Sequence, residues 1–235
     1  MLFRRRAVWV PTLLGWVLIL GALAALVVAL ASQAYDLLAP QQPARGPAGD
    51  GARTLVVEGW LDRAEVQQAA ALVRSGRYRR VLTSGGPIAP EVDAGGWHDY
   101  AHRAAALLRA EGVANVPVIA VPAPASARGR SYLSALMVRE WAQRSGTRLE
   151  AIDLFSAGVH ARRSWLDYRM ALGDTVEVGV LAALPTGFDA RRWWTSSEGA
   201  KATIGEALSL AWTKCCFWPG PPDAGDGRRA AAPLP

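Results

Sequence analysis

Apolar and polar positions follow two recurring patterns between Thr54 and about Trp212. Short continuous apolar runs, such as 54–58 and 151–155, stop at a glycine or a serine, as expected for strands that are buried on both faces. Between these runs, apolar residues recur every three or four positions, as on the inner side of a helix. Strand therefore alternates with helix. This predicts an α/β domain with a Rossmann-like parallel sheet of about five strands and helices on both faces.

The N-terminal part has a different pattern. Residues 7–34 carry no charge and are long enough to cross a bilayer core of about 30 Å. Ser32-Gln33-Ala34 resembles a cleavage site, but signal peptides have apolar regions of only about 7–15 residues. We therefore interpret 7–34 as a retained transmembrane anchor. The basic residues in 1–6 place the N-terminus in the cytoplasm by the positive-inside rule, and the rest of the chain on the other side of the membrane.

The remaining segments differ in composition. Residues 35–53 are rich in Pro, Gly and Gln and are predicted to form a flexible linker. Residues 54–218 hold the whole strand–helix alternation and are predicted to be one extracytoplasmic domain. Residues 219–235 are rich in Pro, Gly and Ala, which predicts a disordered tail. Deletion of the chain up to Arg53 is accordingly expected to leave a soluble, folded domain.

Charge and motif content exclude some functions. The formal net charge is +6, and three of those charges come from Arg4–Arg6. Without a basic helix or interleaved aromatic residues, the remainder does not indicate nucleic-acid binding. No GxGxxG follows the first strand, which argues against a dinucleotide cofactor. His98 and His102 lie four apart, but on the polar side of their predicted helix, so we expect them in solvent rather than on a metal.

Cysteine and tryptophan pairs stand near the C-terminus. Cys215 and Cys216 are neighbours, and adjacent cysteines rarely bond each other because the bond strains the intervening peptide. We expect two small buried residues at a helix end, with intermolecular bridges or acylation as alternatives. Trp193 and Trp194 are expected to pack against the last helix, with the membrane surface as the alternative contact.

The turns after the predicted strands hold most of the candidate functional residues. Carboxyl ends of parallel strands meet at one edge of the sheet, where ligands bind in open α/β folds. Glycines there let backbone N–H groups approach a ligand, and the helix N-termini that follow favour anions. The predicted ligand-binding residues are Gly59, Ser84, Gly85, Gly86, Arg128, Arg130, Ser131 and Arg163.

Two residues are predicted to be catalytic. His160, in the strand-to-helix turn 155–163, can act as general acid or base or donate to an anion. Glu58 ends the first strand and can act as a base, ligate a metal or pair with an arginine. We expect Arg130 and Arg163 to hold the anion beside His160, provided that their two strands are adjacent. The alternative is that these cations lie in solvent or pair with carboxylates. Since clustered cations repel each other, removing one is expected to leave the fold intact.

Several of these features occur in a familiar order. The membrane anchor, Ser84-Gly85-Gly86, the Arg130-Ser131-x-x-Ser134-Ala135 helix start and His160-x-x-Arg163 resemble the ElyC/SanA/YdcF family of bacterial envelope-associated proteins. The resemblance covers about 54–184 and implies a Rossmann-like domain linked to envelope integrity. Family members usually have Asn where this chain has Ser134. They also have a Glu after the Ser-Gly-Gly turn, for which Glu91 is the candidate.

These observations predict a membrane-anchored envelope protein that binds an anionic, phosphate-bearing metabolite and hydrolyses or transfers it. A phosphorylated lipid or cell-wall precursor is the expected ligand. One alternative is a non-catalytic binding module of envelope biogenesis. A third hypothesis is a nucleotide- or S-adenosylmethionine-type ligand, because Rossmann-like folds host many functions. The sequence identifies no cofactor and no metal-binding motif.

Overall fold

A six-stranded sheet forms the centre of the computed structural model, which describes residues 10–46, 53–90, 95–217 and 219. The strands are β1 Gln41–Gln42, β2 Arg53–Glu58, β3 Tyr78–Gly85, β4 Val118–Pro122, β5 Ala151–Ala157 and β6 Glu177–Ala183. Their order in the sheet is β1-β6-β5-β2-β3-β4. All neighbours are parallel except β1, which pairs antiparallel with β6. The predicted α/β fold with a parallel sheet is confirmed, with one short strand added.

The helices connect these strands. They are α1 Leu13–Leu38, α2 Arg63–Arg74, α3 Tyr100–Ala110, α4 Arg130–Arg144, α5 Ala161–Leu172 and α6 Ser197–Cys216, with 3₁₀ helices at Gly158–His160 and Ala190–Thr195. Polar side chains fix several starts: Asp62 and Glu65 form a capping box on α2, and Ser196 accepts a hydrogen bond from the N–H of Gly199 at α6.

Helices cover both faces of the sheet, as predicted. On one face, Leu55 and Val57 of β2 pack with the apolar sides of α2 and α3. On the other, Val56 packs with residues of α4 and α5, including the fully buried Tyr168. Successive residues of β2 thus enter opposite cores, which is why the strand is apolar throughout.

The strand order reverses at β2. From there the chain runs to β3 and β4 on one side, and later to β5 and β6 on the other. This is the order of a Rossmann-type sheet, in which the ligand crevice lies outside the carboxyl ends of the two strands at the reversal. In this protein those strands are β2 and β5, so Glu58, Ser156 and Ala157 lie at the crevice.

Helix α1 is long and apolar enough to cross a membrane. It has 26 residues, and its most apolar 18-residue window has a mean hydropathy of 2.7 with no part of it buried. Thr12 caps its start by accepting from the N–H of Gly15, so the helix begins later than the predicted 7–34 span. It ends later because Tyr35 and Leu38 are buried against the domain. Residues 1–9 lie outside the described part.

The predicted flexible linker over 35–53 is wrong for residues 35–46. These residues include the last turn of α1 and β1, and the N–H of Ala44 donates to the buried Asp153 carboxylate at 2.6 Å. Gly179 makes this approach possible, since a Cβ there would collide with Ala44. Tyr35 and Leu38 pack through their side chains, whereas 41–46 pack through the backbone, which pairs with β6 and donates to the carboxylates of Asp153 and Glu177. The polar composition of 41–46 does not reveal this packing. Residues 47–52 lie outside the described ranges.

The C-terminal end brings a second correction. Cys215 and Cys216 are exposed and joined in a disulfide, so the expectation of two separate buried cysteines is wrong. Helix α6 ends at Cys216, so the peptide between the two residues is not held by a following helical turn. The predicted disordered tail 219–235 lies, apart from Pro219, outside the described residues, as does Glu91.

Candidate functional site

A cavity of about 1370 Å³ lies at the carboxyl ends of β2, β3 and β5. The first turn of α4 forms one side, α5 lies beneath, and α6 supplies much of the opposite wall. Its position agrees with the crevice at the reversal of strand order. Its size is sufficient for a ligand larger than inorganic phosphate.

Most of the residues predicted from the turns line this cavity. They are Glu58, Ser84, Gly85, Gly86, Arg130, Ser131, His160 and Arg163. Gly59 does not line it: a Cβ on Gly59 would collide with the carbonyl of Tyr100, so this glycine allows β2 to approach α3. Arg128 also lies outside the lining, exposed in a turn where its backbone bonds to Ser126.

Glu58 is buried at the base of the cavity, with 2% of its surface exposed. Ser156, from the end of β5, donates a hydrogen bond to its carboxylate, and so does Ser164 of α5, at 2.9 Å. Ser84 is occupied as well, since its hydroxyl lies 2.6 Å from that of Tyr168. The hydroxyl groups of Ser156 and Ser164 hold the Glu58 carboxylate in place and supply the hydrogen bonds that a buried carboxylate requires.

His160 and Arg163 share a carboxylate that sequence reasoning missed. Glu206 of α6 lies 2.9 Å from Nδ1 of His160 and 2.9 Å from Nε of Arg163. Burial alone would raise the pKa of Glu206, but the hydrogen bonds from His160 and Arg163 lower it to about 2. The expected pair of unneutralised cations is therefore wrong for these two residues, because α6 folds back over α5 and supplies the negative charge. No local signal marks Glu206, which follows Arg163 by 43 residues.

Asp167 is the second residue that sequence reasoning missed. Its residue surface is 4% exposed, it lines the cavity, and no described residue donates a hydrogen bond to its side chain. Burial raises its pKa to about 7, although the charge of Arg163 opposes the shift. A signal did exist: Asp167 follows Arg163 by four residues, so both lie on one side of α5. An acid of this pKa exchanges protons readily at neutral pH.

Arg130 approaches the cavity from a different side than predicted. The strands before α4 and α5 are not adjacent, since β3 and β2 separate β4 from β5. Packing of α4 on α5 nevertheless brings the first turn of α4 to the cavity. That turn starts at Gly129, in the left-handed region at φ 58°, with no side chain capping the helix. Its N–H groups, the exposed Arg130 and the half-buried Ser131 therefore form a positive end of the cavity.

Apolar and aromatic side chains complete the wall. The ring of Trp60 packs edge-on against His160, with centroids 4.8 Å apart, and lines the cavity. Ile88, Leu208 and Trp212 line the outer part. The cavity thus joins a polar interior to an apolar rim, as suits a ligand with both kinds of group.

No metal site accompanies these groups in the part of the chain that the structure describes. Nowhere in 10–46, 53–90 and 95–217 do three or more His, Cys, Asp or Glu side chains cluster so as to hold a metal ion. His102 contacts Asp99 of its own helix at 2.7 Å and is exposed. The titratable side chains that line the cavity can transfer protons and bind charged groups.

Fold and cavity define an α/β protein with a Rossmann-like sheet, a ligand cavity at the reversal of strand order and an apolar helix suited to a membrane. Comparison with family models, characterised proteins and solved structures found no match to this chain. The resemblance to the ElyC/SanA/YdcF family therefore stays a prediction, and function has to be argued from the site.

Proposed function

We propose that this protein is anchored in a bacterial inner membrane by α1, with its α/β domain outside the cytoplasm, and that it hydrolyses a phosphate ester of an envelope metabolite. The observation that carries the proposal is the presence of Asp167, buried with a pKa near 7, in one cavity with the uncapped N-terminus of α4. The first supplies a proton donor and the second an anion site.

The phosphate group is expected to bind at the positive end of the cavity. The first N–H groups of α4 lack a side-chain cap there, and helix N-termini bind phosphate through such groups. Arg130 adds a charged donor at the same end, and Gly86, in the turn after β3, lines the same cavity. The positive charge of Arg130 at a helix N-terminus is unfavourable by itself, because the helix dipole is positive there. A bound phosphate would offset both charges.

Two groups can move protons during hydrolysis. A water oxygen forms a bond to phosphorus while the bond from phosphorus to the ester oxygen breaks. Nδ1 of His160 lies 2.9 Å from a Glu206 oxygen and 2.8 Å from a terminal nitrogen of Arg163. In the tautomer that donates Nδ1–H to Glu206, Nε2 accepts the water proton, and protonated Asp167 gives its proton to the leaving oxygen. Ser84, Ser156 and Ser164 are all engaged in hydrogen bonds, which favours direct attack by water over a serine intermediate.

Phosphate release tests this proposal. The full-length protein in detergent would be incubated with farnesyl phosphate and with glycerol phosphate, and released inorganic phosphate measured. Asp167→Asn is expected to reduce release by about 100-fold or more, because the leaving oxygen loses its proton donor. Arg128→Ala, a cation outside the cavity, serves as the matched control and should keep the full rate. Binding of farnesyl phosphate without any release would overturn hydrolysis and support the non-catalytic binding module instead.

A further inference from the structure

Helix α6 exposes an apolar side to the outside of the domain. Ile204, Leu208 and Trp212 are 53%, 68% and 56% exposed. They follow one another by four residues, so their side chains lie in one row along the helix. The opposite side, with Thr203, Leu210 and Thr213, is buried against the domain.

This distribution is the reverse of that in an ordinary surface helix. A surface helix turns its apolar side to the core and its polar side to water. In α6 the outward row holds three of the four large apolar residues, whereas Leu210 and two threonines, Thr203 and Thr213, face inward. A contiguous exposed apolar row of this kind indicates a surface that contacts something other than water.

Helix α1 shows where this row lies relative to a membrane. No residue from Leu13 to Leu30 is buried, and the first domain contact is at Ala31, whose carbonyl accepts from Nε1 of Trp193 at 2.9 Å. The uncovered part is about 27 Å long at 1.5 Å per residue, close to the thickness of a bilayer core. The domain therefore starts where α1 leaves the bilayer, and Trp193 lies at that level.

Helix α6 begins directly after this contact. The 3₁₀ helix that contains Trp193 leads into α6, and both pack against the end of α1. Trp194, beside the contact, is 45% exposed, and tryptophan favours the membrane interface. The exposed cations Arg191, Arg192 and Lys201 surround the same region, where anionic headgroups would attract them.

We propose that the outward row of α6, together with Trp194, docks onto the phospholipid bilayer. The row enters the boundary between headgroups and acyl chains, while neighbouring cations contact headgroup phosphates. This goes beyond the proposed reaction and depends only on α1 crossing the membrane. Since Leu208 and Trp212 also line the cavity, docking places its apolar rim at the lipid surface.

Spin-label accessibility tests the docking. The full-length protein, with Cys215→Ser and Cys216→Ser, is reconstituted in vesicles of equal parts phosphatidylcholine and phosphatidylglycerol. Labels are placed singly through Leu208→Cys or Trp212→Cys, both exposed positions, and collision rates with oxygen and with the water-soluble complex NiEDDA are measured. Leu20→Cys, within α1, reports the acyl-chain region. Ala110→Cys, exposed on α3 beside the far edge strand β4, reports water.

If α6 docks, the ratio of the oxygen collision rate to the NiEDDA collision rate should be several-fold higher for labels at positions 208 and 212 than for the label at position 110. It should also approach the ratio measured at position 20. A ratio equal to that at 110 overturns the proposal. Protection from both reagents also overturns it, because the cover is then protein. In that case spin–spin broadening identifies a second copy, and recovery of access after deletion of 220–235 identifies the chain's own end. The spin-label ratios do not depend on whether the protein releases phosphate. A failure of the proposed hydrolysis can therefore be distinguished from a failure of the proposed docking.

Discussion

Ionisation of Asp167 opposes folding near neutral pH. Burial raises its pKa from 3.8 to about 7, whereas the unfolded chain keeps the ordinary value. The stability associated with its neutral form is complete below about pH 4 and is lost as the pH rises towards 7. Each unit of pKa difference corresponds to about 1.4 kcal/mol, so the loss at alkaline pH is on the order of a few kcal/mol.

We therefore expect Asp167→Asn to be more stable than the wild type at pH 8, by at least about 1 kcal/mol, and to lose this advantage near pH 4. Urea unfolding of the detergent-solubilised protein, followed by tryptophan fluorescence between pH 4 and 8, measures the effect. Asp174→Asn changes an exposed carboxylate on the loop after the same helix and should show no such trend. Equal stability of Asp167→Asn and wild type at pH 8 would show that the carboxylate is better solvated than its burial indicates.

Glu206 has the opposite dependence. Its pKa is lowered to about 2, so the stability from its contacts is present above about pH 4.5 and is lost as the pH falls towards 2. Glu206→Gln is expected to destabilise the protein by about 1–3 kcal/mol at pH 7, because His160 and Arg163 lose their charged acceptor within the protein. Thermal unfolding at pH 7 and pH 3 should show a difference that shrinks with acidification.

A double-mutant cycle separates this ion pair from a surface pair. Arg163→Ala and Glu206→Gln should be strongly non-additive, since each removes the same contact. The matched control is Glu140→Gln with Arg144→Ala, an exposed pair on α4, where coupling below about 0.5 kcal/mol is expected. If Arg163→Ala alone is neutral or stabilising, the repulsion between cations expected from the sequence outweighs the contact with Glu206.

At the scale of elements, residues 35–46 determine where the folded domain starts. Deletion of residues 1–30 removes only the part of α1 that is clear of the domain and should preserve a cooperative melt. Deletion of residues 1–52 also removes the buried Tyr35 and Leu38 and leaves Asp153 without the N–H of Ala44. We expect the longer deletion to cost on the order of 4 kcal/mol. Circular dichroism melts compare the two, and equal midpoints would restore the interpretation of 35–53 as a tether.

At the scale of the whole molecule, the orientation in the membrane stays a prediction. Arg4–Arg6 precede the apolar span, whereas the stretch from Tyr35 to Ala52 has a single basic residue. Alkaline phosphatase fused after Pro219 should be active and β-galactosidase fused there inactive, because only the former works outside the cytoplasm. Replacement of all three arginines by glutamate should weaken this preference. The opposite pattern in the unaltered chain would exclude an envelope ligand for the cavity.

The sequence by itself determined the features that depend on local periodicity. Apolar runs ending at a glycine or a serine marked β2 and β5, spacings of three and four marked the helices, and an uncharged stretch marked α1. The carboxyl ends of parallel strands meet at one edge of the sheet. The positions of Glu58, Ser84 and His160 in the turns after these strands therefore predicted that they line one cavity.

Tertiary structure alone decided which charges meet and which surfaces stay uncovered. Glu206 reaches His160 and Arg163 only because α6 folds back over α5, and its sequence separation carries no periodic signal. Residues 39–46 pack through backbone hydrogen bonds, which composition does not encode. The apolar row of α6 has the spacing of a core-facing helix, so the pattern predicts burial. Only the tertiary structure shows that this side is turned outward, because a hydrophobic period records which side of a helix avoids water and not what covers that side.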